Sequence, residues 1–275
     1  MDKKKGRFGF GQAYVALSRV RKSSSLKILN YDREQIKSDP QVDAFMETMR
    51  TIPIVSSVHE HEIQPGSFRC MLVNQNVENM RVHSHDIDSD KTLCNGDILC
   101  FTETHLHADD VWPLTHITSE THTIYRVSRT SGKGGGLAVC VKKGLQSYVH
   151  TTVVTTSSEV LCVHIPDYGL TVIAVYRPPR GHQQDFSDRL TDIVDALPHG
   201  PCVVAGDFNI NHVNGTNTTF TQLLTARHFN QVVKKATTDQ GTLLDHIYLR
   251  ELALTACIVR DCYYSYHDKV ECYID

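Results

Sequence analysis

Cys202-Val203-Val204-Ala205-Gly206-Asp207-Phe208-Asn209 is the stretch on which the fold turns. Its opening apolar residues make a run of strand length, and the Gly-Asp pair ends that run abruptly. Gly206 permits a tight turn, which places Asp207 and Asn209 at the mouth of a buried strand. Short runs of the same kind occur at 68–73, 97–102, 123–127, 137–141, 160–165, 170–176, 243–249 and 270–274. Their length and β-branched content predict strands in most cases. A helix is predicted over 184–197, where Phe186, Leu190, Ile193, Val194 and Leu197 share a face and Pro198 ends it. Strands outnumber helices and many neighbours are joined by short turns. This predicts an α/β body with two sheets packed face to face and helices outside.

Polar residues recur where these runs end. Asn74 and Asn76 follow the first strand, Glu103 the second, and Tyr176 and Arg177 close a third. Asp207 and Asn209 follow Gly206, Asp245 and His246 interrupt an apolar run, and Ser265-Tyr266-His267-Asp268 precedes the last strand. If those ends share one edge, they gather carboxylates, amides, a phenol and an imidazole. That inventory suits metal-assisted hydrolysis of a phosphate ester, in which oxygen ligands hold Mg²⁺ loosely. Gly134-Gly135-Gly136 lacks the Lys-Ser/Thr and helix of a nucleotide-binding loop and reads as a hairpin turn leading into Leu137. His59/His61, His83/His85 and His105/His107 have chelating spacing, but with no Cys-x-x-Cys and no His-Glu-x-x-His they argue weakly for zinc.

Of 275 residues, 40% are hydrophobic and 21% charged, which fits one large domain with an appendage and excludes a disordered chain. The net charge of −3 excludes global basicity, so a nucleic-acid partner needs a local patch. One exists: residues 1–37 carry ten Lys/Arg against three Asp/Glu, leaving eighteen against twenty-eight elsewhere. Residues 1–51 read as a separate piece, with a short strand at Leu26–Leu29 and a helix started by Asp39 and Pro40. A linker at 52–67 joins it to the body at 68–275. No apolar run reaches the roughly 18 residues of a membrane span and no secretory signal opens the chain, which predicts no membrane partner. The nine cysteines, mostly in apolar runs, predict a reducing, intracellular setting.

Taken in order, Leu72-Val73-Asn74-Gln75-Asn76, Thr102-Glu103-Thr104-His105-Leu106, Gly134-Gly135-Gly136-Leu137-Ala138-Val139, Val175-Tyr176-Arg177-Pro178-Pro179, Gly206-Asp207-Phe208-Asn209, Leu244-Asp245-His246-Ile247 and Ser265-Tyr266-His267 resemble the endonuclease/exonuclease/phosphatase superfamily. The likeness is to its exonuclease III-like apurinic endonucleases and the endonuclease domains of retrotransposons. It implies a four-layered α/β sandwich with a site at one edge of the paired sheets. It also implies Glu103 as principal ligand of Mg²⁺ or Mn²⁺, with Asn74 and Asn76 nearby. Asp207 would align or deprotonate the attacking water, and Asn209 would position water or phosphate. His267, oriented by Asp245, and Tyr176 would stabilise charge growing on the phosphate, with Arg177 and Ser265 against the substrate. One departure stands out: the family's last motif reads Ser-Asp-His, and Tyr266 replaces its carboxylate with a neutral phenol. Asn76 likewise stands where many relatives are acidic.

The front piece resembles something else. Gly11-Gln12-Ala13-Tyr14-Val15-Ala16-Leu17-Ser18-Arg19-Val20-Arg21 is similar to the last motif of Helitron-type helicases, with Gln12 and Arg19 matching residues that contact ATP there. Without a Gly-Lys-Thr loop this chain is not expected to hydrolyse ATP alone. The resemblances together imply a transposon-derived DNA endonuclease, nicking strands or cutting at abasic sites, with nuclear residence. Tyr266 and the basic arm motivate a second reading, a catalytically impaired DNA-binding module, and the superfamily permits a third, a phosphatase. Oligomeric state is not legible.

Overall fold

The computed structural model describes residues 69–128, 134–213, 215 and 219–275. The helicase-like piece with Gln12 and Arg19, its expected strand and helix, and the 52–67 linker lie outside the described residues.

In chain order the elements are β1 (Cys70–Asn76), α1 (Ser84–Ser89), α2 (Lys91–Asn95), β2 (Ile98–Thr102), β3 (His122–Val127), β4 (Leu137–Lys142), β5 (Tyr148–Val154) and β6 (Glu159–Ile165). There follow β7 (Leu170–Tyr176), α3 (Gln183–Ala196), β8 (Cys202–Asp207), α4 (Thr219–Thr225), β9 (Asn230–Gln231), β10 (Asp245–Arg250), β11 (Leu254–Arg260) and β12 (Lys269–Ile274). They form two six-stranded sheets, ordered β11-β12-β1-β2-β4-β3 and β5-β6-β7-β8-β10-β9. The β1–β2 and β7–β8 pairs are parallel and the other pairs antiparallel.

The central strands are buried on both faces, which is why they read as continuous apolar runs. In β1, Cys70 and Leu72 meet Val172, Ala174, Val203 and Ala205 of the other sheet in a shared inner core. Met71 and Val73 face outward, onto Ile87 of α1 and Leu93 of α2. Likewise Ile173 and Val175 of β7 turn outward to Phe186, Leu190 and Val194 of α3 and to Phe220 and Leu224 of α4. Helical cover, two facing sheets and helical cover again give the expected four-layered sandwich. Each such Val, Leu or Phe contributes roughly 1.5–3 kcal/mol by leaving water.

Several boundaries differ from the sequence reading. β1 extends to Asn76, so Asn74 and Asn76 lie within the strand rather than after it, and β8 includes Asp207. β5 and β11 were not expected. Both are outer strands with largely exposed or half-exposed residues, so they lack the buried apolar signature. The short α1, α2 and α4 carry too few turns to show a helical period.

The decisive glycine acts through space as well as torsion. Gly206 has φ +150°, and a Cβ there would lie 1.9 Å from the Val175 carbonyl oxygen of the parallel neighbour β7. Gly206→Ala is therefore expected to cost about 2–4 kcal/mol in urea unfolding, because backbone rather than a flexible side chain must yield. An unchanged midpoint would contradict that packing.

Candidate active site

The carboxyl ends of the two parallel pairs meet at one edge of the sandwich. Asn76 ends β1 opposite Thr102 at the end of β2, and Tyr176 ends β7 opposite Asp207 at the end of β8. Asp245 starts the antiparallel β10 opposite Asp207 as well. Register aligns these residues within each sheet, and the Asn76–Asp207 hydrogen bond, across 131 positions, joins the two sheets at one rim, where loops after parallel strands commonly hold ligands.

One amide ties the two sheets at this point. Asn76 Nδ2 donates to Glu103 Oε1 at 3.2 Å and to Asp207 Oδ2 at 3.0 Å, while its Oδ1 accepts from the Glu78 amide at 3.0 Å. Asp207 accepts further bonds from the Asn209 amide (2.9 Å) and Asn209 Nδ2 (3.1 Å). Across from them, His267 Nδ1 pairs with Asp245 Oδ2 at 2.7 Å, and His267 Nε2 lies 3.9 Å from Asp207 Oδ2. Thr237 Oγ1 donates to the same Asp245 oxygen at 2.8 Å. Asp207, Asp245 and His267 are all completely buried.

Backbone strain collects in this place. Glu103, His105 and Asn209 all adopt positive φ, at 52°, 53° and 48°. Asn tolerates this, whereas Glu and His each lose about 1 kcal/mol or more. The triple glycine holds the strained segment: the Thr104 and His105 amides donate to the Gly136 and Gly135 carbonyls at 3.2 and 2.9 Å. The run expected only to turn a hairpin also supports the loop that aims Glu103.

The charges are unbalanced. Burial pushes the Glu103 carboxyl up, but hydrogen bonds from His105, Asn76 and Tyr176 outweigh it and hold the group below the usual range. For Asp207 the lowering effects of His267 and the Asn209 amide are outweighed. Burial, and then the charge of Asp245, push it up to about 8. His267 rises to about 9: burial opposes its charge, but the Asp245 carboxylate more than compensates, followed by Asp207 and Glu103. The pocket therefore combines three carboxyl groups with a single imidazolium.

Two residues sit differently from expectation. Arg177, expected against substrate, donates from Nε to the Phe208 carbonyl, from Nη1 to that of Gly181 and from Nη2 to that of Asn209, at 2.6–2.8 Å. It clamps the 207–209 turn from behind. Ser265 Oγ, expected at the substrate too, donates to the Asn76 carbonyl (2.9 Å) and accepts from the His267 amide (3.1 Å), so it shapes the loop. Asp268 Oδ1 accepts from the Cys262 amide at 3.3 Å. The Tyr266 ring lies 4.2 Å from the His267 ring and is 40% exposed.

Supporting residues escaped the sequence reading. Buried Gln75 Nε2 donates to the carbonyls of Asn76 and His267 at 2.7 and 3.0 Å, binding β1 to the last loop. Buried Glu159 stands opposite Tyr176 and accepts from the Gly136 amide at 2.6 Å. Thr237, in a segment with no apolar run, orients Asp245 as described. Only Glu159 carried a signal, as an acid at a strand boundary.

A divalent cation fits this donor set. Asp207 and Asp245 offer carboxylate oxygens within 4.8 Å of each other and of the His267 ring, which as an imidazolium would face the substrate anion rather than ligate the cation. Asn74 Oδ1 and Nδ2, Asp245 Oδ1 and His267 Nε2 are buried without a hydrogen-bond partner in the protein. Such atoms are costly unless something polar meets them, and oxygen-rich, negatively charged surroundings suit a hard ion. None of the His83/His85 and His105/His107 pairs belongs to such a group among the described residues.

In structure, an AP endonuclease from Archaeoglobus fulgidus matches with TM-score 0.61 at 15% identity, over 75% of this chain and 100% of that one. The 3' phosphatase NExo from Neisseria bound to product DNA hairpin gives 0.58 at 16% identity, over 75% and 100%. The endonuclease domain of TRAS1, a telomere-specific non-LTR retrotransposon, gives 0.58 at 11% identity, over 74% and 97%. At these identities the likeness is one of fold. No curated protein matches the sequence. The sequence profile of the endonuclease/exonuclease/phosphatase family matches residues 70–267, from the first strand to the buried histidine, and on that match the chain belongs to this family.

Proposed function

We propose that the chain is a divalent-cation-dependent phosphodiesterase, a DNA endonuclease that nicks one strand or cuts at abasic sites. The observation that carries this reading is the convergence of Glu103 and Asp207 on one Asn76 amide, facing the His267–Asp245 pair. Glu103, with Asn74 and Asn76 beside it, would hold Mg²⁺ or Mn²⁺, which would supply positive charge to the phosphate oxygens. Asp207, once cation binding has displaced its own proton, takes the proton of the attacking water. Asn209 fixes the Asp207 carboxylate through two donated bonds. His267 is protonated at neutral pH, and it and the Tyr176 hydroxyl donate to the phosphate as charge grows there. Asp245 holds the imidazole by its other nitrogen.

DNA as partner, transposon origin and nuclear residence rest on the basic arm, on Gln12 and Arg19 in the helicase-like piece, and on the retrotransposon-like wording of the motifs. The test is nicking of supercoiled plasmid and of an abasic duplex, with Mg²⁺ or Mn²⁺ against EDTA. Cation-dependent cleavage of either substrate is expected, and none of either would sink the endonuclease. Tyr266 favours a second reading, an impaired DNA-binding module. It predicts binding that falls steeply with salt and no turnover.

The pocket also predicts a pH dependence for cation binding. Asp207 is raised, so below about pH 8 it keeps its proton and a cation among these oxygens must displace it. Mg²⁺ affinity should rise with pH by up to about tenfold per unit and level off above about 8. Calorimetry in buffers of different ionisation heat should show proton release at pH 6.5. A pH-independent affinity would contradict this.

A further inference from the structure

Cys257 in β11 and Cys272 in β12 stand directly opposite each other in the antiparallel ladder. Opposed residues of such a pair have Cα atoms about 4.5 or 5.5 Å apart, and both spacings fall within the roughly 4.4–6.8 Å that a disulfide bridges. Both side chains point to the same face, since Cys272 belongs to the core between the sheets and Cys257 packs against that core. Neither sulfur is in a disulfide. Their access differs: Cys272 is fully buried, whereas Cys257 is half-buried on the outermost strand of its sheet. The neighbouring Cys272 thiol holds Cys257 below the usual thiol range against the effect of burial, with the Lys234 ammonium helping. The Cys257 thiol, together with burial, pushes Cys272 up. A half-buried sulfur with thiolate character at a sheet edge, beside a buried protonated one, is the arrangement of an attacking and a resolving thiol.

We propose that Cys257 and Cys272 form a thiol–disulfide exchange site that takes small disulfides of the glutathione class and closes into a cross-strand disulfide. The Cys257 thiolate attacks one sulfur of the small disulfide, its S–S bond breaks, and one small thiolate leaves. The Cys272 thiol gives its proton to that departing thiolate. Its sulfur then attacks the Cys257 sulfur and expels the second small thiolate, which takes a proton from solvent. In sum, two protein thiols and one small disulfide become one protein disulfide and two small thiols, with two electrons passing to the oxidant. The ring so closed encloses residues 261–268, the loop bearing Ser265, Tyr266 and His267, so the bond would restrain the segment that holds the buried imidazole. This rests on the thiol pair alone and is independent of what the active site hydrolyses.

The test treats the full chain with oxidised glutathione, follows intact mass, and maps cysteines by alkylation and peptide analysis. A Cys257–Cys272 crosslink that dithiothreitol reverses is expected, with Cys257 reacting at least about tenfold faster than the half-exposed Cys94 and Cys262, whose thiols burial pushes up. Cys272→Ala should stop at a glutathione adduct on Cys257, and Cys257→Ser should remove both products. Adducts on Cys94 or Cys262 with Cys257 and Cys272 both still open to alkylation would overturn the proposal. So would a Cys272→Ala protein with no adduct at Cys257.

Discussion

Asp207→Asn is expected to lower phosphodiester cleavage by about 10²–10⁴-fold while leaving the protein as stable as the parent, or more so, when no divalent cation is present. The loss follows from removing the only group in the pocket asked to accept a proton, a role that contributes 10²–10⁴-fold in rate. The stability follows from the sign of the carboxyl shift. Burial and Asp245 raise Asp207 above the ordinary carboxylate range, so the folded state holds its proton more tightly than the unfolded chain does. Ionising it therefore costs stability, and this cost is absent below about pH 4 and grows as pH rises toward 8. A neutral amide of the same shape removes that cost and still accepts from the Asn209 amide through its oxygen, although its NH2 then faces the donating side-chain amides of Asn76 and Asn209, which offsets part of the gain. Steady-state cleavage and urea unfolding at pH 5 and pH 7.5 would check both halves. A variant that lost activity and stability together would make Asp207 a structural residue. A variant that kept its rate would remove it from the chemistry.

The fold was legible because its central strands are buried on both faces. β6, β7 and β8 announce themselves as largely apolar runs despite His164 and Thr171, whereas the exposed β5 mixes threonine and histidine and β11 carries its apolar residues half-exposed between Thr255 and Arg260. The site was legible where a polar residue interrupts such a run. Asp207 after Gly206, or Asp245 before Ile247, stands out against its apolar neighbours. Sequence adjacency could not reveal what each group touches. Arg177 follows Tyr176 into the site, yet its planar guanidinium matches three carbonyls of the neighbouring turns and is consumed by them. Thr237 and Gln75 were hidden for the opposite reason. Their work is done across loops brought together only by the sheets, and nothing in their local sequence records it.

Tyr266→Asp tests the one position where the chain departs from its family's last motif, and its effect should have opposite signs with and without a cation. The Tyr266 ring leans on His267, and its phenol is raised to about 12, chiefly by partial burial and then by Glu103 and Asp207, so it is neutral at any working pH. An aspartate there would bring a fourth carboxylate within reach of Glu103, Asp207 and Asp245. In EDTA this like-charge addition should lower stability by about 1 kcal/mol and push Asp207 further up. With Mg²⁺ the same charge becomes attraction. Two unit charges about 4 Å apart at an effective dielectric constant near 20 interact by roughly 4 kcal/mol, and a divalent ion by more. Water at this 40% exposed position screens much of that, leaving a gain of about 10- to 100-fold in Mg²⁺ affinity. Titrating Mg²⁺ against thermal midpoint and nicking rate reads both signs on one sample. If affinity did not move, Tyr266 would lie outside the field of the cation, and the weak-metal explanation of an impaired enzyme would fall. If affinity rose but nicking did not, the phenol would be shown to obstruct the phosphate rather than to starve the site of charge.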